Sequence, residues 1–174
     1  MYKKICLPSA ILVLMVCSIS LSAQTKAKFV SPDGGFTIDL PKEGLQGVDP
    51  VGDLNSGAGT YAWMTDNGQF SVSYLENAFP ASSANESLKA LAAMILKSPI
   101  NAAAVVVSRR QFEKDGNPTI ELRLKRQGGS AINRLIVVKR RLYVLTADWV
   151  EGDGAAATSA LDSFQLVDGS LLIA

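Results

Sequence analysis

Val105-Val106-Val107-Ser108-Arg109-Arg110-Gln111-Phe112-Glu113-Lys114, the turn Asp115-Gly116-Asn117-Pro118, then Thr119-Ile120-Glu121-Leu122-Arg123-Leu124-Lys125 is the stretch that decides the fold. Ile120, Leu122 and Leu124 alternate with Glu121, Arg123 and Lys125, the period of a strand with one face buried. A second turn follows at Gln127-Gly128-Gly129-Ser130, then Ile132 to Lys139, a turn at Arg140-Arg141, and Leu142 to Trp149. Four strands joined by connections this short pair with their sequence neighbours, so the stretch predicts an antiparallel meander.

On the N-terminal side, Ser83-Ala84-Asn85-Glu86 has the spacing of a capping box, with Ser83 at the N-cap and Glu86 three residues on. Leu88, Leu91, Ala92, Ile95 and Leu96 then fall on one helical face, and Ser98-Pro99 ends the helix. Before it, Thr60–Met64 and Phe70–Leu75 flank Asp66-Asn67-Gly68, which predicts a tight hairpin. Residues 42–57, rich in Gly, Asp and Asn, read as a surface loop. Lys28 to Leu40 reads as two short strands around Ser31-Pro32-Asp33-Gly34-Gly35, closed by Pro41. On the C-terminal side, Ala155 to Leu161 reads as a short helix and Phe164-Gln165-Leu166 as an extended piece. The fold class is α+β: a twisted, mostly antiparallel sheet covered by two helices.

The first 23 residues have the order of a secretory signal: Lys3 and Lys4, the apolar run Ile11–Val16, then small and polar residues to Ala23. The segment from Ile5 to Ile19 contains Pro8 and falls short of the roughly 20 residues that span a bilayer. Cleavage is expected after Ala23 rather than at Cys17, because a lipobox wants a small residue where Val16 stands. Residues 24–174 are then one exported domain, periplasmic or extracellular, with no further membrane-spanning run.

Of 174 residues, 48% are hydrophobic, none is histidine, and both cysteines, Cys6 and Cys17, lie inside the signal. The exported part thus lacks the usual general base and any thiol nucleophile. That excludes Ser-His-Asp and Cys-His catalysis, imidazole or thiolate zinc sites and disulfides, and no cofactor motif replaces them. Gly57-x-Gly59 opens a strand rather than a helix, so it is no dinucleotide fingerprint.

Gly35-Phe36-Thr37-Ile38-Asp39-Leu40-Pro41 resembles the opening strand of small exported proteins with a PsbP-like α/β/α sandwich. Arg141-Leu142-Tyr143-Val144-Leu145, with the short helix running into Leu161-Asp162-Ser163-Phe164-Gln165-Leu166, resembles their C-terminal part. The resemblance spans nearly all of the exported chain. It implies accessory and partner-binding roles and brings no catalytic residue to carry over.

Charge is distributed unevenly. Residues 109–141 carry ten basic side chains and three acidic ones, while the last 33 residues carry five acids and no base. Arg123 and Lys125 share a strand face, and Arg134 is placed to join them across the turn. With Arg126 they form the candidate patch for a protein partner or an anionic surface. Nucleic acid does not fit, because the chain is near neutral overall and no exposed aromatics interleave the bases. The rival reading is a small-molecule module built on the aromatic hairpin 60–75, with Trp63 and Tyr74 lining a cleft. A carboxylate-based hydrolase would need two acids in a shared cleft, which the scattered acids do not supply. Asp148, Glu151 and Asp153 lack calcium-loop spacing and read as a polar turn. The expectation is an exported, non-enzymatic binding protein that contacts another protein of the cell envelope.

Overall fold

The computed structural model describes residues 26–42, 45–51, 57–78, 83–152 and 154–167. The expected signal segment, with Cys6, Cys17 and Ala23, lies outside the described residues, as does Asp153.

In chain order the strands and helices are β1 (Lys26–Ser31), β2 (Phe36–Pro41), β3 (Gln46–Val51), β4 (Ala58–Thr65), β5 (Gly68–Leu75), α1 (Ala84–Lys97), β6 (Val105–Lys114), β7 (Asn117–Arg126), β8 (Gly129–Val138), β9 (Arg141–Trp149), α2 (Ala155–Asp162) and β10 (Gln165–Leu166). The meander β6–β9 is as the alternation predicts. Asp115 and Gly116 form its first turn with positive φ of 52° and 73°, which Gly accepts freely and Asp tolerates. Ser83 stands at the N-cap of α1, and Ser98 at its far end is extended ahead of Pro99.

Two departures from the sequence reading matter. The expected loop 42–57 contains β3, which pairs antiparallel with β4. The expected single sheet is two: a seven-stranded sheet in the order β3-β4-β5-β9-β8-β7-β6 and a three-stranded sheet in the order β1-β2-β10. Every described strand pair is antiparallel.

The large sheet buries both faces. On one, Leu88 and Ala92 of α1 pack on Ile120, Leu122, Leu135 and Val137. On the other, α2 and the small sheet share the cover, with Phe36, Ile38, Leu40, Leu161 and Phe164 against Tyr61, Phe70, Val72, Ile132 and Leu145. The small sheet is held down by polar bonds as well. Tyr143 Oη and Arg141 Nη1 both donate to the Gly34 carbonyl, at 2.8 and 2.7 Å. Among the described residues no helix is long and apolar enough to cross a membrane.

Candidate functional site

The register of the meander decides what becomes of its basic residues. Glu121 of β7 lies directly opposite Arg134 of β8, Arg123 opposite Ile132, and Lys125 opposite Ser130. Residues 121, 123, 125 and 134 thus share the α2 face, as parity predicts. Depth divides them. Arg134 is 3% exposed, and its guanidinium is committed to Glu121 Oε2 (2.6 Å), Asp162 Oδ1 (2.7 Å) and the carbonyl of Leu161 at the end of α2 (2.8 Å). As a partner-binding residue Arg134 is therefore withdrawn: α2 covers it.

Glu121 is fully buried and accepts hydrogen bonds from three arginines, Arg110 (2.8 Å), Arg123 (2.9 Å) and Arg134. Burial pushes its carboxyl up. The hydrogen bonds from Arg134, Arg110 and Arg123 outweigh that and lower it to about 2. A carboxylate held ionised this firmly has no proton to give near neutral pH, so it serves structure rather than acid catalysis. Arg123 is turned inward to it and also donates to Thr158 Oγ1 at 3.3 Å.

Arg126 lies at the end of β7 and bridges two groups: Nε donates to Asn101 Oδ1 at 2.8 Å and Nη1 pairs with Asp148. Asn101 is buried, and its amide donates to the Ile95 carbonyl (2.8 Å) and Ser98 Oγ (3.2 Å). Arg126 is therefore a positioning residue that ties the segment after α1 to the sheet. Of the four predicted side chains, Lys125 alone is exposed.

What these bonds position is the feature that charge counting missed. The segment Ile100-Asn101-Ala102-Ala103-Ala104-Val105-Val106-Val107 is anchored at Asn101 but otherwise turned outward. Ile100, Val105 and Val107 are 71%, 66% and 65% exposed, and Val106, Ala102 and Ala103 are exposed too. It runs into β6, ten residues long and, among the described residues, the outer strand of the large sheet with one neighbour. The register shifts between Val106 and Ser108, leaving Val107 as a bulge. Exposed Arg109 and Lys125 flank this apolar ledge. The sequence signal was the uninterrupted run Ala102–Val107, which a half-buried strand does not need.

Trp63 and Tyr74 do not line the cleft expected of them on the hairpin 60–75. They are 5% and 4% exposed, and the Trp63 indole meets the Phe29 ring edge-on at 4.8 Å. These aromatics are core. Asp148 is engaged by Arg126 and by Gln69 Nε2 (3.0 Å), and no group of three acidic residues among those described is placed to hold a metal.

No protein-family model matches the chain, and no curated protein matches it in sequence. Among solved structures it is similar to one from Bacteroides thetaiotaomicron VPI-5482 (14% identity, TM-score 0.48, 83% of this chain and 49% of that one). It is similar also to the solution structure of cyanobacterial PsbP (CyanoP) from Synechocystis sp. PCC 6803, at 14% identity and a TM-score of 0.61, over 84% of this chain and 95% of that one. The chain has the PsbP-like fold.

Proposed function

We propose that the chain is an exported accessory protein that binds another protein of the cell envelope, taking an extended acidic segment of that partner as an added strand on β6. The observation that carries the reading is the ledge Ile100–Val107 leading into an uncovered strand edge. An edge presents unpaired N–H and C=O groups, and proteins normally blunt such edges with charge, bulges or cover. The bulge at Val107 and the charge at Arg109 are devices of that kind. Three consecutive exposed valines beside them are an association hazard that protection alone does not require, and a partner strand would cover them. Arg109 and Lys125 make an acidic segment the complementary choice. Export rests on the signal order in residues 1–23.

The test is site-specific photocrosslinking in the native envelope fraction, with the photoreactive side chain at Val107 or, as control, at Met94, which is 67% exposed on α1. We expect a discrete adduct from position 107 only, mapped to an acidic extended segment and reduced several-fold by Lys125→Glu and by added salt. No adduct, equal labelling from position 94, or labelling indifferent to charge would refute the reading.

A further inference from the structure

At one end of the large sheet, the β4–β5 turn and the residues that follow β9 come together. Asn67 fastens them: Nδ2 donates to the Glu151 carbonyl (2.7 Å), Oδ1 accepts from the Glu151 amide (2.9 Å), and its carbonyl accepts from the Val150 amide (3.0 Å). Two segments that lie 84 residues apart in the chain are thus joined. Below this junction is a cleft of about 210 Å³.

The walls of this cleft have a consistent chemistry. Trp149 supplies aromatic surface above the core residue Phe70, and Pro41 and the first alanines of α2 supply apolar surface. Among the described residues, Asp66, Asp148 and Glu151 are the ionisable side chains lining it, with no lysine or arginine. Asp148 is partly neutralised by Arg126 on the far side, which leaves Asp66 and Glu151, both exposed, as the free negative charge. The half-buried indole is seated by Gly154: a Cβ there would stand 2.3 Å from Trp149 Cζ2. With φ of +74°, Gly154 is also left-handed, so two constraints fix the residue that keeps the ring in place.

We infer that this cleft binds a small organic cation with an apolar body, an alkylated amine or quaternary ammonium. A diffuse cation gains from the face of a tryptophan and from surrounding negative charge without demanding close ligation. A metal ion would need the oxygens to converge, and the described acids do not. The site is separate from β6, so the two readings stand or fall independently.

The full chain carries two tryptophans, so Trp63→Phe leaves Trp149 as the sole reporter. Choline and its neutral isostere 3,3-dimethylbutan-1-ol are titrated against Trp149 fluorescence in that variant. We expect a saturable change with choline, at least tenfold weaker with the alcohol, and three- to tenfold weaker with choline after Asp66→Asn plus Glu151→Gln. Gly154→Ala, which displaces the indole, abolishes the response, while circular dichroism checks that each variant is folded. A flat choline titration, equal responses to the isosteric pair, insensitivity to the two acid substitutions, or a saturable response to calcium chloride that choline does not compete away would overturn the inference.

Discussion

Glu121 accepts from three guanidinium groups while fully buried, and the balance of those charges makes it the most informative single position in the molecule. Removing one partner of a buried ion pair leaves the other uncompensated, so Glu121→Gln should cost about 3–5 kcal/mol in urea unfolding at pH 7. The pH dependence has a definite sign. The carboxyl titrates at about 2 when folded, against roughly 4.3 when unfolded. Its contribution is therefore complete above about pH 4.3 and is lost as pH falls toward 2. Unfolding of the parent chain followed between pH 6 and 2 should show this slope, and Glu121→Gln should flatten it. Gly68 acts through space: a Cβ there would lie 2.0 Å from the Asp148 carbonyl oxygen, so Gly68→Ala should destabilise by about 1–3 kcal/mol, read from the urea midpoint. Alternation predicted that Arg123, Lys125 and Arg134 share a face, and they do. It did not say which of them is covered, because depth depends on where α2 lands, and nothing local to residues 121–134 encodes that.

At the scale of elements, β8 and β9 have a neighbour on each side and cover on both faces, whereas β6 has one neighbour among the described residues and is exposed along most of its length. Amide exchange in the isolated protein should be slowest in β8 and β9 and distinctly faster in β6. Arg126→Ala should speed exchange at residues 101–104, because it frees Asn101, and should leave the amides of β8 slow. The four strands of the meander, the β4–β5 hairpin and both helices were legible because their apolar periods are clean and their ends carry Gly, Pro or capping residues. β3 was not. Gln46-Gly47-Val48-Asp49-Pro50-Val51 has the composition of a loop, and it becomes a strand through pairing with β4. Its outer position at the sheet margin is what tolerates Pro50 there.

Across the whole molecule, the two ends that resemble the PsbP-like pattern meet: Ser163 Oγ accepts from the Asp39 amide at 2.8 Å, and β10 pairs with β2. That contact closes the small sheet and, with α2, covers the face where the Glu121 cluster lies. It also tempers the meander's excess of base, since Arg134 is buried on Glu121 and Arg123 and the exposed Arg110 pair with the same carboxylate. An apolar ledge with Arg109 and Lys125 beside it also faces outward, a feature of packing that composition hides. The decisive measurement is amide exchange on the purified adduct formed through position 107, compared with the free protein. The account predicts strong new protection of the amides along β6, with β1 and β3 unchanged. Protection elsewhere while β6 continues to exchange at its free rate would contradict strand addition.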